Sequence, residues 1–401
     1  MKIAIVAPTH KSFIAPFLKE EDWSALPEGY FGAPFLGDII AELLKKGNEV
    51  IAITTTQSDN VDFSVKVFNN GNFTWIVVPK RKHTLRFNRF RLGRILDFYS
   101  LERKLILQQL KLHKPQIVHA HWGYEFAHCA IRSGFKNLVT IHDNPIVIAK
   151  FHKSIYRVLK MIYATYLINR MPYRSTVSPY MMPYVSKFKG QCRLIPNPIQ
   201  INFDHKALSG LINERMQNLE QTPKIVMIMN GWDARKNGKN GLIAFNLLKE
   251  YYPLAELHLF GSGTEYGGLA YQDATSLKLN NVFFNGKVER TYLLNKLSGM
   301  HILLHTALEE SFGVVLIEAM SLGIPAIGGN QSGAVPWVIN ESRLLTDVSN
   351  PDKIFQTIIN CIKFYGEFSS VVFDNASSRF SSKTIVEQYQ DYYNDILNKE
   401  N

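Results

Sequence analysis

Short apolar runs punctuate the whole chain, separated by stretches with helical spacing. In the first half the runs fall at residues 3–7, 50–54, 75–78, 117–120, 138–141, 175–177 and 194–195. In the second half they fall at 225–229, 256–260, 282–284, 302–304 and 326–327. None exceeds seven residues, and many end in Gly, Pro, Asn, Ser or His. Amphipathic stretches such as 36–46 and 240–252 lie between them. Alternating strand and helix signals of this kind predict parallel sheets with helices on both faces. Two such series predict an α/β chain of two Rossmann-like domains. The break is expected near residues 199–222, a polar stretch without strand signals that follows Pro196-Asn197-Pro198.

Ligands of open parallel sheets bind beyond the carboxyl ends of the strands. Several chemically capable residues stand there: His119 and His121, His142-Asp143, Ser178, Asn197, Gly231, Gly261 and Gly263, Gly286, and Glu309-Glu310. Composition narrows the setting. The 401 residues are 46 % hydrophobic and 20 % charged, which excludes wholesale disorder. No apolar run reaches the roughly 18 residues of a spanning helix, and the N-terminal run is too short for a signal peptide. Cys129, Cys192 and Cys361 are odd in number and far apart, so a reducing cytoplasm is expected. The net charge of +11 favours an anionic partner. Eleven Lys/Arg fall between Lys80 and Lys114, and eight, with no acid, between Lys150 and Lys189.

The segment richest in chemistry is Leu308-Glu309-Glu310-Ser311-Phe312-Gly313-Val314-Val315-Leu316-Ile317-Glu318-Ala319-Met320. Gly313 permits close backbone approach, and a helix is predicted to begin there with free N–H groups able to hold a hydroxyl or phosphate. Glu310 precedes that helix and Glu318 lies about one and a half turns into it. On spacing alone, two acids eight apart read first as a solvated pair, and a bracket around a ligand is the alternative.

The wider context resembles the Glu-x7-Glu signature of GT-B glycosyltransferases, in particular the retaining family 4. Ala319-Met320-Ser321-Leu322-Gly323-Ile324-Pro325 is similar to that family's "EAMA-x-G-x-P", and Phe260-Gly261-Ser262-Gly263 to its "G-x-G". Phe284-Asn285-Gly286-Lys287-Val288 is similar to "F-x-G-x-V", His119-Ala120-His121-Trp122 to "HAHW", and Thr140-Ile141-His142-Asp143 to "T-x-H-D". Val177-Ser178 and Ile195-Pro196-Asn197 match more weakly. The resemblance implies a GT-B fold of two Rossmann-like domains facing a cleft. Residues 1–205 would bind the acceptor and 206–375 the nucleotide-sugar donor, with 376–401 a helix packing back on the first domain.

The implied roles follow the motif positions. Glu310 would contact the transferred sugar and Glu318 the ribose. Main-chain N–H groups of Ser311, Phe312, Gly313, Val314 and Val315 would hold sugar and diphosphate, with Gly231 and Gly261 admitting the donor and Val288 flanking the base. Lys236 would clamp the diphosphate, and His142 would approach the sugar from the opposite domain. His142, Glu310 and Lys236 are thus the expected catalytic groups, and Gly32, His121 and Asp143 the expected acceptor contacts. Two positions depart from the family. Trp232 stands where an Arg is usual, leaving Arg235 as the candidate second cation. The glycine loop after the first strand comes only after an insertion, residues 10–28, with Gly32 its best match.

No metal or cofactor is expected. His119 and His121 are expected on opposite strand faces, unable to share an ion, and no Asp-x-Asp motif is present. RNA-binding motifs are also absent. Two basic segments carry apolar stripes: Leu92, Ile95, Leu96 and Tyr99 among Arg89, Arg91 and Arg94, and Ile155, Val158, Leu159, Ile162 and Tyr166 beside Lys153, Arg157 and Lys160. Each reads as a surface helix packed on a sheet or as a patch for anionic lipid. The expected activity is retaining transfer of a hexose-type sugar from a UDP- or GDP-sugar to a glycan or lipid-linked acceptor in surface polysaccharide or glycolipid synthesis. It is expected in the cytoplasm, with peripheral attachment to the inner face of the membrane as the alternative. The rivals are a nucleotide-sugar epimerase and a non-catalytic sugar-nucleotide binder on the same fold.

Overall fold

The computed structural model describes residues 1–56, 64–82, 85, 93–202 and 204–399. Two compact units divide the chain: Met1–Pro198 with Ser382–Asn401, and Ile199–Ser381. Residues 199–205 therefore fall with the second unit, as do 376–381, which end the helix Tyr365–Phe380.

The first unit is built on eight strands: β1 (Lys2–Val6), β2 (Glu49–Thr55), β3 (Lys66–Asn70), β4 (Phe73–Val78), β5 (Ile117–His121), β6 (Lys136–Ile141), β7 (Tyr173–Thr176) and β8 (Gln191–Leu194). Their order is β3-β4-β2-β1-β5-β6-β7-β8. All pairings are parallel except that of edge strand β3 with β4. The central strands are buried almost throughout because helices cover them: Phe35–Lys45 packs on β2, and Glu125–Arg132 on β5 and β6. Helix Ser382–Asn398 also packs on β6 and beside Phe35–Lys45. It buries Tyr389, Tyr392 and Tyr393 almost completely. Tyr393 Oη lies 2.6 Å from His119 Nδ1, and Tyr392 Oη donates to the carbonyl of Gln191 at 3.2 Å.

The second unit carries β9 (Lys224–Ile228), β10 (Glu256–Phe260), β11 (Val282–Gly286), β12 (Ile302–His305), β13 (Ala326–Gly329) and β14 (Leu345–Thr346). They form one parallel sheet in the order β11-β10-β9-β12-β13-β14. The strand order reverses between β1 and β5 in one unit and between β9 and β12 in the other, so each unit has its ligand-accepting crevice at a defined edge.

Both basic stripes differ from expectation. Residues 94–99 form turns instead of continuing a helix. Phe98 and Tyr99 take φ of +52° and +60°, which breaks helical geometry, and helix begins only at Ser100. Arg89, Arg91 and Leu92 lie outside the described residues. Helix Ile155–Ile168 forms, but its buried face is Tyr163, Ala164, Leu167 and Ile168. Ile155, Val158, Ile162 and Tyr166 face outward, Ile155 being 70 % exposed.

Candidate functional site

In the second unit, the loops after β9 and β12 are neighbours because those strands pair in parallel. Lys236 ends one loop and Glu310 lies in the other. Lys236 Nζ donates to Glu310 Oε2 at 2.8 Å, and His305 Nε2 stands 3.7 Å from the same oxygen. Burial pushes the Glu310 carboxyl up, but Lys236 and His305 outweigh it and hold it well below the usual carboxylate range. Glu310 is thus a fixed anion with a cation at hand.

The loop after β9 is shaped by Asp233, whose Oδ1 accepts from the backbone N–H groups of Arg235 and Lys236 at 2.9 and 3.0 Å. Gly231 enters this loop at φ +114°. Asn237 then takes a left-handed turn, φ +53°, and its side-chain amide donates to the carbonyls of Thr306 and Val348. Trp232 is turned aside: its Nε1 donates to Asp273 at 2.8 Å. Its ring lies over Gly238, where any Cβ would come within 2.4 Å of it. Arg235 is also engaged, its Nη1 donating to the Glu309 carbonyl at 3.2 Å and carboxylate at 3.4 Å. The two adjacent cations therefore differ: Arg235 ties the loops together through Glu309, and Lys236 meets Glu310.

Gly313 takes φ +87° and opens helix Val314–Met320, which is where the sequence placed a helix start. Ser311 and Phe312 are buried just before it, with the Phe312 ring packed edge-on against Phe380 and Trp337. That anchor leaves the backbone from 312 to 315 to line the loop, with the side chains of Val314 and Val315 half-buried. Glu318 is buried within the helix, and Arg290 Nε donates to its Oε1 at 3.0 Å. Burial raises the Glu318 carboxyl, and Arg290 opposes without reversing it. Glu310 and Glu318 thus occupy opposite electrostatic settings. Gly261 follows β10 with φ +114°, and its N–H donates to the carbonyl of Gly286 at 2.7 Å. A Cβ at Gly261 would stand 1.7 Å from the Met229 carbonyl oxygen. Val288 lies half-buried two residues beyond β11.

In the first unit, His142 and His121 meet, with His121 Nδ1 2.9 Å from His142 Nε2 and the rings stacked at 5.2 Å. His119 and His121 are also close, their ring centres 4.2 Å apart. The expectation of opposite faces is wrong: residues two apart on a strand share a face. Burial lowers His142 to about 3, and burial with His142 beside it lowers His119 to about 3. His121 is held well below its ordinary value by burial and by both neighbours. All three are neutral imidazoles. Asp143 Oδ2 accepts from Trp122 Nε1 at 3.1 Å, and Gly32, φ +136°, faces the edge of the Trp122 ring. The insertion at 10–28 is closed at its base, where Glu28 meets His10 Nε2 at 3.1 Å and Lys11 Nζ at 2.5 Å.

The sequence reading passed over Arg290, His305, Asp233 and the pairing of Glu309. Arg290 stands two residues beyond Val288, but nothing in its spacing announces Glu318 as its partner. His305 does end an apolar run, the position searched elsewhere in the chain.

Comparison with known proteins agrees with this fold. Residues 212–367 match the family model for glycosyl transferases group 1, and residues 34–203 that for glycosyltransferase family 4. The putative colanic acid biosynthesis glycosyl transferase WcaC of Escherichia coli is 22 % identical over 333 residues, 75 % of each chain. The structure of sucrose-phosphate synthase from Thermosynechococcus elongatus superposes with TM-score 0.73 at 16 % identity, covering 99 % of both chains. Anabaena HepE, in complex with UDP and glucose, superposes with TM-score 0.65 at 17 % identity, covering 98 % of this chain and 100 % of that one. With both sheets matched and the Glu310–Glu318 segment in its expected loop and helix, this chain belongs to the group 1, family 4 glycosyltransferases of the GT-B fold and is a sugar-transferring enzyme.

Proposed function

We propose that the protein is a retaining hexosyltransferase that takes a sugar from a UDP- or GDP-sugar. The observation that carries this is the Lys236–Glu310 pair at the carboxyl edge of β9 and β12. As the glycosidic bond breaks, negative charge grows on the β-phosphate, and a fixed cation and loop N–H groups stabilise it there. Lys236 and the backbone of residues 312–315 are the groups assigned to that work. Glu310 orients the transferred sugar, Glu318 holds the ribose, and His142 serves the reacting sugar as a neutral hydrogen-bonding group. No covalent sugar–enzyme intermediate and no metal is invoked. The complex of HepE with UDP and glucose supports a uridine nucleotide donor.

The likeness to WcaC supports an acceptor in surface polysaccharide synthesis. Among the described residues no helix is long and apolar enough to cross a membrane. The outward stripe Ile155, Val158, Ile162 and Tyr166, with Ile146 and Phe151 also exposed, supports peripheral association with an anionic bilayer. Lys150, Lys153, Arg157 and Lys160 accompany it in the sequence. A panel of UDP-, GDP- and ADP-sugars, read by thermal stabilisation and then by transfer to glycan acceptors, tests the activity. Donor stabilises a binding protein by mass action. Epimerised sugar formed without any acceptor would overturn the transferase reading.

A further inference from the structure

His119 and His121 end β5, and His142 follows β6 directly. A neutral imidazole carries one N–H and one bare nitrogen, so the partners of each ring decide where its single proton sits. His119 is satisfied on both sides. Its Nδ1 meets Tyr393 Oη at 2.6 Å, and its Nε2 meets Thr140 Oγ1 at 2.7 Å. Both partners are hydroxyls, which donate or accept as required. Thr140 Oγ1 continues to Ser175 Oγ at 2.6 Å, so the ring is tied into the sheet. It lies against His121, with ring centres 4.2 Å apart.

His121 is different. It is 0 % exposed, so its effect on a ligand passes through its neighbours. Its Nδ1 stands 2.9 Å from His142 Nε2, and among the described residues its Nε2 has no hydrogen-bond partner. One nitrogen of this ring therefore goes unsatisfied. A buried N–H without an acceptor is rare in native proteins, a bare acceptor less so. The His121 proton accordingly belongs on Nδ1, donated to His142 Nε2. With Nε2 accepting, the single proton of His142 sits on its Nδ1. The reverse arrangement would bury an orphaned N–H at His121 Nε2. Asp143, next in the chain, does not disturb this order, because its Oδ2 accepts from Trp122 Nε1 at 3.1 Å. Phe35 and Trp122 enclose the His142 ring, with centres 5.3 and 5.7 Å away. Nδ1 is the nitrogen that His142 has left for a ligand.

We propose that His121 is a positioning residue: it fixes His142 in the Nδ1–H tautomer, so that His142 donates a hydrogen bond to an oxygen of the transferred sugar and does not act there as a base. The sugar as recipient rests on the transferase reading given above. The tautomer rests on the geometry of the cluster alone. His119 keeps the His121 ring in place and leaves its Nδ1 directed at His142.

The test has two arms, both on the full chain. The first is a long-range proton–nitrogen correlation spectrum of protein with isotope-labelled histidine rings at neutral pH. The two signals are assigned by their loss in His121→Asn and His142→Gln. Protons on Nδ1 of both rings are expected, and a proton on Nε2 of His142 would overturn the proposal. The second arm is turnover of whichever of UDP-glucose and GDP-mannose the wild type consumes, beside calorimetric titration with the free nucleotide. His121→Leu should lower turnover about tenfold, the worth of one hydrogen bond, with nucleotide affinity unchanged. His121→Asn, whose side-chain amide can donate in place of Nδ1–H, should restore most of it. Full turnover by His121→Leu, or an Asn variant as impaired as the Leu variant, would overturn the positioning role. If His121→Leu fails to fold, the wild-type spectrum and the Asn variant decide. Wild-type protein that consumes neither sugar nucleotide while showing the expected spectrum would count against the donor reading instead.

Discussion

The ammonium of Lys236 donates to Oε2 of Glu310 across 2.8 Å, although 74 residues separate them. Arg235, its immediate neighbour, bonds Glu309 instead. Two adjacent cations thus pair with two adjacent acids in register, and only one of them stands beside the carboxylate assigned to the sugar. A charge-assisted contact with diphosphate is worth about 1.5–3 kcal/mol. Lys236→Ala should therefore weaken UDP or GDP binding by about ten- to a hundredfold. Arg235→Ala should cost stability more than affinity, because it releases the Glu309 tie. Titration with the nucleotide, alongside a melting curve, separates the two. Unimpaired binding by Lys236→Ala would refute the assignment.

Glu310→Gln and Glu318→Gln should differ in kind. The first is expected to lower turnover and leave free nucleotide binding nearly intact. The second is expected to weaken the nucleotide itself. Arg290→Met removes the cation that opposes the burial-driven rise of the Glu318 carboxyl, so the acid limb of nucleotide binding should move to higher pH. Equal behaviour of the two glutamine variants would end the division of labour.

Acid should destabilise the first unit through its histidines. In the unfolded chain His119, His121 and His142 take up protons near pH 6.5. In the folded chain they stay neutral down to about 3 for His119 and His142, because of burial. Between those limits the unfolded state binds more protons, so stability is lost as pH falls. Each unit of lowered pKa corresponds to about 1.4 kcal/mol. Urea midpoints at pH 7.5 and 5 should differ less in His142→Gln than in wild type, and an unchanged difference would exclude His142 as a contributor.

Gly261 cannot carry a side chain. Its φ is +114°, and a Cβ there would meet backbone at 1.7 Å. Gly261→Ala should destabilise the second unit by more than about 2 kcal/mol. Gly238→Ala meets the Trp232 ring instead. That ring can shift, so this variant should disturb the loop after β9 and nucleotide affinity more than the melting temperature.

The outward apolar stripe gives the membrane reading a structural handle. Co-sedimentation with phosphatidylglycerol vesicles should be strong at low salt and fall as salt rises, since exposed charges are screened within about 8 Å at physiological ionic strength. Ile155→Ser with Ile162→Ser should reduce binding even at low salt, and both residues are exposed enough for the fold to survive. Protein remaining in the supernatant at low salt would favour an acceptor free in solution.

Much was legible in the sequence, for local reasons. Apolar runs of strand length alternating with helical spacing dictate parallel α/β units, and strand ends dictate where ligands go. Gly313, with helix beginning at Val314, was readable because only glycine takes that backbone turn without strain. Partnership was not readable. Lys236 meets Glu310 because β9 and β12 are neighbours in a sheet whose order departs from chain order. Arg290, beyond β11, meets Glu318, in the helix after β12, although two strands stand between β11 and β12 in the sheet. The stripe on helix Ile155–Ile168 looked like a packing face, since spacing defines a face but not what covers it. Only the fold decided that Tyr163, Ala164, Leu167 and Ile168 turn inward and leave that stripe outside.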